Sequence, residues 1–183
     1  MSLSNNSLHS LWPILLSTPY KDSFWLNYLT EFNFNTNSIH LAIFVQPYIG
    51  YILTGKKTIE SRLSKNKCSP YGKVRHGDII LLKQSGGPVI GLCEVSEAWY
   101  YKLDPMTWSK LMIDFFDEIN VKDESFWVER QAASYATLLR ISHPESIQPL
   151  SVSKKDKRGW VVMDKHVQGF EYGVLSKLPV GDE

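Results

Sequence analysis

A short stretch near the middle of the chain carries side chains that could bind or transform an anionic ligand. Thr58, Glu60 and Arg62 occupy every second position, and the apolar residues Ile59 and Leu63 fall on the opposite face. Alternate side chains of a strand point to opposite faces, so one face can pack while the other presents a hydroxyl, a carboxylate and a guanidinium. Lys57 adds a cation where the predicted strand begins. The alternative is an exposed strand in which Glu60 and Arg62 form an ion pair of small energetic consequence.

Each charged side chain of this stretch suits a different contact. Arg62 offers a planar pair of donors that matches a phosphate, whereas Lys57 is a compact charge that could act as a base if desolvated. Glu60 could orient both cations or accept hydrogen bonds from the exocyclic amine of a base. Because a nearby carboxylate favours the ammonium form, Glu60 should raise the pKa of Lys57 and keep it protonated. The stretch is therefore predicted to hold an anion.

Polar and aromatic residues elsewhere extend the predicted cleft. Gln46 and Tyr48 lie just before or within a short predicted helix, and Lys83 and Ser85 lie at the mouth of a Gly-rich turn. Aromatic side chains that could stack on an unpaired base are Tyr48, Tyr51, Tyr71 and Trp99. The candidate ligand-binding residues are Gln46, Tyr48, Lys57, Thr58, Glu60, Arg62, Lys83 and Ser85.

Apolar runs and turn residues around this stretch predict a sheet. Residues 41–45 predict a buried strand, and residues 47–54 predict a short helix that ends at Gly55. Residues 78–83 and residues 89–99 predict two strands joined by a turn with paired glycines.

The second half of the chain predicts helices and then a return to the sheet. Asp104 and Pro105 are an N-cap and a first helical residue, and a second helix is expected over residues 124–134. Strands are predicted at residues 136–141 and 160–163. Between these strands, Pro144 and Pro149 are expected to break regular structure.

The N-terminal region carries apolar and aromatic residues at helical spacing. Residues 8–32 predict two helices separated at Pro19, the second beginning at Asp22 or Ser23. We expect these helices to pack on the rest of the protein. Docking of a protein partner on them is the less favoured alternative.

The order Gln46-Pro47-Tyr48, a helical turn and then G-x-K-T-x-E-x-R ending at Arg62 resembles the signature of the ASCH domain, a branch of the PUA-like superfamily. Residues 77–83 and 90–95 resemble two later strands of that family. The resemblance covers about residues 40–164. It implies an α+β fold, a PUA-like small mixed β-barrel with a helical insertion and an N-terminal helical extension. It also implies a cleft lined by the motif that binds RNA or a nucleotide-like ligand.

The same resemblance raises the question of catalysis. One branch of the family is similar to N4-acylcytidine amidohydrolases, which use a lysine, a threonine and a glutamate. Lys57 matches the lysine, but Glu60 stands where that branch carries its threonine, and Thr58 could substitute only by facing the same cleft. Lys57, Thr58 and Glu60 are thus catalytic candidates only if the protein is an enzyme. Ribonuclease activity, implied by other members, is less favoured because none of the five histidines lies in the motif.

Length and composition predict one globular domain with additions. The chain has 183 residues and 43% hydrophobic residues, enough to form a sizeable core. We expect a helical extension and polar linker at residues 1–38, and an ASCH/PUA-like domain at residues 39–183 with the helical insertion at about residues 104–134. No apolar run of about 18 residues and no secretory signal is evident, so we expect a cytoplasmic protein without membrane contact.

Charge and cysteine usage limit the class of ligand. The net charge is only +1, but residues 56–83 contain eight basic and two acidic residues, which indicates a local basic patch. The two cysteines, Cys68 and Cys93, lack the spacing of metal ligands, so no metal or cofactor is predicted. The sequence therefore leaves two readings: a module that binds RNA or a nucleotide, which we prefer, and a hydrolase of a modified nucleoside.

Overall fold

The computed structural model describes residues 8–121, 125–152 and 158–163. The helices are α1 (Leu8–Ser17), α2 (Ser23–Thr30), α3 (Tyr48–Leu53), α4 (Pro105–Ile119) and α5 (Ser125–Glu129). The strands are β1 (Ile39–Phe44), β2 (Ile59–Ser64), β3 (Ile79–Gln84), β4 (Val89–Lys102), β5 (Tyr135–Leu150) and β6 (Trp160–Val162).

The six strands form one mixed, curled sheet in the order β2-β5-β4-β3-β1-β6. β1 and β3 are parallel, and all other neighbours are antiparallel. The sheet is a half-barrel whose two edges are β2 and β6. This architecture confirms the predicted α+β class with a mixed, barrel-like sheet. The motif strand therefore lies at one side of the barrel opening.

The inner face of the sheet holds one of three apolar cores. Inner side chains include Ala42, Ile80, Cys93 and Leu139 from four different strands, and α3 inserts Ile49 and Ile52 among them. Outside the bulges, every other residue of a strand points inward, as period-two alternation requires. α3 therefore packs against the concave side of the half-barrel.

Helices cover the outer face in two places. α1 and α2 contribute fully buried Leu15 and Trp25 to a core shared with β1, β3 and β4. The Trp25 indole also donates to the His143 backbone carbonyl of β5 over 2.9 Å. α4 and α5 form a third core on Ile59 and Leu138, on the reverse side of β2 and β5. The aromatic side chains of the N-terminal helices thus pack against the sheet.

The helix starts agree with the sequence signals. The Asp22 carboxylate accepts from the Phe24 backbone N–H over 2.9 Å, and the Asp104 carboxylate accepts from that of Thr107 over 2.7 Å. Asp22 and Asp104 are therefore the N-caps. The second helix of the insertion is shorter than expected: α5 ends at Glu129.

The two prolines disturb the regular ladder as expected, but the expectation that the strand ends before them was wrong. β5 continues through Pro144 and Pro149 to Leu150. The register between β4 and β5 shifts near both prolines, so β5 carries extra residues that its neighbour does not match. Such bulges leave residues outside the ladder, where a missing N–H costs nothing.

Two buried hydrogen bonds link β6, β1 and the residue that precedes β3. The Trp160 indole donates to His40 Nδ1 over 3.1 Å, and His40 Nε2 lies 2.9 Å from an Asp78 carboxylate oxygen. An indole N–H can only donate, so His40 Nδ1 must accept. The ring proton of His40 is therefore on Nε2, which donates a hydrogen bond to Asp78. These hydrogen bonds therefore fix the Trp160 side chain on the edge strand β6.

Candidate functional site

Arg62 reaches across the barrel opening from one edge of the sheet to the other. Its Nη2 donates to the Ile43 carbonyl of β1 over 3.0 Å. Its Cζ lies 4.9 Å from the Phe44 ring centre and 5.1 Å from that of Trp160 on β6. The side chain keeps 24% of its surface exposed. Arg62 therefore contacts both sides of the opening and still meets solvent.

Glu60 lies between two cations on the same strand face. Arg62 Nε donates to Glu60 Oε1 over 2.7 Å, and Lys57 Nζ lies 3.6 Å from Glu60 Oε2. Glu60 pairs with Leu139 across β2 and β5, which places its side chain on the inner face. We call Lys57, Glu60 and Arg62 the ionic cluster.

Lys57 is the innermost member of the ionic cluster. It is 4% exposed, and its Nζ donates to the carbonyl of Ile119, the last residue of α4, over 2.9 Å. Burial lowers the pKa of Lys57; Glu60 opposes this shift, and Arg62 adds to it. The predicted rise in this pKa was therefore wrong, because desolvation outweighs attraction by the carboxylate.

A buried group of charges needs a reason other than stability. Burying ions costs several kcal/mol each, and apolar residues of similar volume are often as stabilising or more so. A buried ionisable group whose pKa is lowered by burial, as that of Lys57 is, is typical of functional sites. The ionic cluster is therefore the candidate site, and Arg62 is its exposed end.

The other predicted residues have varied positions. Thr58 is half-buried, and its backbone N–H donates to the Glu118 carbonyl over 3.1 Å. Lys83 is buried, and its ammonium donates to the Gly87 carbonyl in the turn between β3 and β4. Ser85 in that turn is exposed, and its N–H donates to the Phe44 carbonyl over 2.8 Å.

The remaining two predicted residues lie at the start of α3. Gln46 is exposed, and Tyr48 is half-buried with its ring edge-on to Tyr51 at 6.4 Å. Of the whole predicted set, the structure brings Lys57, Glu60 and Arg62 into direct contact.

Aromatic residues at the site differ in part from those predicted. Trp99 packs against Phe115 of α4, with ring centres 5.4 Å apart, and so lies on the outer face rather than in the cleft. Phe44 and Trp160 contact Arg62 and were not predicted. Alternation in the strand sequences would have placed Phe44 inward, but the partner of Trp160 depends on pairing between distant segments.

The described part of the chain contains neither a metal-binding cluster of side chains nor a membrane-spanning helix. Residues 8–121, 125–152 and 158–163 contain no group of three or more His, Cys, Asp or Glu side chains arranged to hold a metal ion. Over the same ranges, no helix has the length and apolar character needed to cross a membrane.

Comparison with known proteins identifies the fold. No protein-family model and no curated protein matches the chain. The crystal structure of ASCH from Zymomonas mobilis matches with a TM-score of 0.57 and 14% identity, over 70% of this chain and 89% of that one. The chain has the ASCH fold. A mutant of the Zymomonas protein matches with the same TM-score over 91% of its length.

The ASCH fold is the one that the Gln46–Arg62 motif implied. At 14% identity the likeness shows the fold alone. The ligand that the ionic cluster can bind is therefore determined by this chain's own side chains.

Proposed function

We propose that this protein binds RNA or a nucleotide at the ionic cluster, with Arg62 as the contact to a phosphate. The observation that carries the proposal is a buried cluster of two basic groups and one acidic group, whose outermost cation is partly exposed in the barrel opening. The excess of basic groups favours an anionic ligand. A ligand with both negative charge and an aromatic ring would fit the aromatic neighbours of Arg62.

The geometry of Arg62 leaves donors for such a ligand. Nε points to Glu60, and one hydrogen of Nη2 points to the Ile43 carbonyl. A guanidinium carries five N–H groups, so both hydrogens of Nη1 and one of Nη2 have no partner among the described residues and can donate to a phosphate. A Cβ added to Gly159 would lie 3.5 Å from Nη1, so glycine leaves this edge uncovered.

Basic residues beside the opening support a ligand with several phosphates. The loop from β2 to β3 carries Lys65, Lys67 and Lys73, all exposed. Flexible surface lysines attract a phosphate backbone without fixing its sequence.

Titration with nucleosides, nucleoside 5′-monophosphates and short RNAs tests the proposal. We expect the monophosphates to bind more tightly than the nucleosides, and RNA affinity to fall as salt rises. Arg62→Ala should weaken phosphate binding by about 1.5–3 kcal/mol, the value of a hydrogen bond to a charged group. Equal affinity for nucleoside and monophosphate would refute the role of Arg62.

Arg130→Ala is a matched control. Arg130 also pairs with a glutamate, donates to a backbone carbonyl and lies over an aromatic ring, here Glu129 and Phe126. It follows α5, on the reverse side of β2 and β5. Its loss should leave ligand affinity unchanged.

One observation favours hydrolysis of an N4-acylated cytidine as a second candidate. The lowered pKa of Lys57 moves it toward the neutral amine that a catalytic base requires. Against this, its Nζ is buried against Ile119 and Glu60. We expect no acetate release from N4-acetylcytidine. Release that disappears in both Lys57→Ala and Thr58→Ala would favour the hydrolase instead.

A further inference from the structure

Strand register places aromatic side chains in line with Arg62. Arg62 on β2 pairs with Thr137 on β5, which pairs with Tyr100 on β4. Directly opposed residues of antiparallel strands share a face and lie about 5 Å apart. Tyr135 precedes Thr137 by two positions, so it lies on the same inner face. Arg62, Tyr100 and Tyr135 therefore border one region of the concave side.

A third tyrosine comes from the loop between β2 and β3. The Tyr71 ring centre lies 5.4 Å from that of Tyr100 and 5.1 Å from that of Tyr135, edge-on to both. The Tyr100 hydroxyl accepts from the Val74 backbone N–H over 2.9 Å and donates to the Val74 carbonyl, so Val74 fixes its position. We call Tyr71, Tyr100 and Tyr135 the tyrosine wall. All three are half-buried, so each keeps surface for a ligand.

The tyrosine wall adjoins the basic loop. Lys67 Nζ lies 5.4 Å from the Tyr71 ring centre. Lys65 and Lys73 are exposed in the same loop. The tyrosine wall therefore lies between cationic groups, with Arg62 on one side and the loop lysines on the other.

We propose that the tyrosine wall stacks a base of a single-stranded nucleic acid whose backbone contacts Arg62 on one side and Lys67 on the other. The inference rests on the proposed function and specifies its ligand as a strand rather than a free nucleotide. A mononucleotide would meet Arg62 and its neighbours Phe44 and Trp160, whereas a strand also meets the tyrosine wall and the loop lysines. Aromatic rings beside cationic groups are the usual means of binding unpaired bases.

The test measures how the affinity of wild-type protein for oligonucleotides depends on their length, their bases and their sugar. Binding of labelled RNA and DNA of one to eight nucleotides is measured by fluorescence anisotropy, together with an abasic octamer. We expect affinity to rise with length beyond one nucleotide, and the abasic octamer to bind about 5- to 150-fold more weakly than its parent, as for the loss of one stacked base. RNA and DNA arms show whether the 2′-hydroxyl contributes.

Variants then locate the stacked base. Tyr71→Leu and Tyr135→Leu should each weaken octamer binding about 5-fold or more while leaving the monophosphate affinity nearly unchanged. Tyr101→Leu is the matched control, because Tyr101 neighbours Tyr100 on β4 but packs in the outer core with α4. The Tyr101→Leu variant should bind the octamer as tightly as wild-type protein does. Far-ultraviolet circular dichroism checks folding of each variant.

The outcomes separate this inference from the proposed function. If Arg62→Ala abolishes binding but abasic and normal octamers bind equally, phosphate binding stands and the stacking inference is wrong. If mononucleotides and octamers bind equally, the preference for a strand is wrong. If no nucleotide or oligomer binds wild-type protein, both the proposed function and this inference fail.

Discussion

Glu60→Gln is the substitution that most directly tests the role assigned to the ionic cluster. Glutamine has nearly the same shape as glutamate and its oxygen can still accept from Arg62 Nε, now at 2.7 Å. What is lost is the negative charge that lies 3.6 Å from Lys57 Nζ. The variant would therefore leave two cations near each other without their counter-charge.

The expected cost follows from burial. Removing one partner of a buried ion pair destabilises a protein by about 3–5 kcal/mol. Glu60 and Lys57 are almost fully buried, but Arg62 is 24% exposed and solvent screens part of its charge. We therefore expect the free energy of unfolding to fall by about 3 kcal/mol, the lower end of that range. Most of the cost should arise at Lys57.

The cost should also depend on pH, because Lys57 can release its proton. Its pKa in the folded protein lies below the usual 10.5, so stability rises with pH between the folded value and 10.5. Without Glu60, the interaction that raises this pKa is gone, and the folded value falls further. The difference between variant and wild type should therefore be larger at pH 6 than at pH 9.

Urea unfolding followed by circular dichroism at both pH values measures these differences. Glu129→Gln is the control, since Glu129 pairs with Arg130 at 3.4 Å but is 68% exposed. Its unfolding free energy should stay within about 0.5 kcal/mol of wild type. A loss below about 1 kcal/mol for Glu60→Gln, or a loss that does not change with pH, would refute the argument that the cluster is electrostatically buried.

Three further predictions concern neighbouring groups. Trp160→Phe keeps a ring beside Arg62 but leaves His40 Nδ1 buried without its donor, so urea unfolding should show a loss of about 1–3 kcal/mol. Gly159→Val should cover Arg62 Nη1 and weaken monophosphate binding in the anisotropy assay, with an unchanged unfolding midpoint; unchanged affinity would contradict the assigned phosphate edge. Burial raises the pKa of Tyr28 to about 12, so its stabilising contribution is complete below pH 10 and is lost as pH rises toward 12; Tyr28→Phe should flatten that decline in unfolding titrations.

Local features of the chain were predictable from the sequence. Alternation along β2 placed Glu60 and Arg62 on one face, and pairing with β5 confirms it. Asp104 and Pro105 marked the start of α4 because capping depends on adjacent residues alone. The motif also implied the fold that the structural comparison supports. These signals require no knowledge of distant contacts.

Features that depend on distant segments were not predictable. Trp160 meets Arg62 only because β6 returns to pair with β1, and the Ile43 carbonyl only because the curled sheet brings β1 opposite β2; no local pattern specifies either. The pKa of Lys57 depends on how deeply the end of α4 buries it. Pro144 lies within β5 because a bulge accommodates it, and the sequence gives no sign of the matching shift.

The short strand β6 affects when the site can form during folding. Arg62 lies on β2, the second strand along the chain, whereas Trp160 lies on β6, the last described strand. Contacts between such distant residues form slowly because a long loop must close first. A growing chain can therefore assemble much of the sheet while the guanidinium lacks one of its two aromatic neighbours. The binding side of the barrel would become complete only when β6 docks on β1 and His40 accepts the Trp160 indole hydrogen.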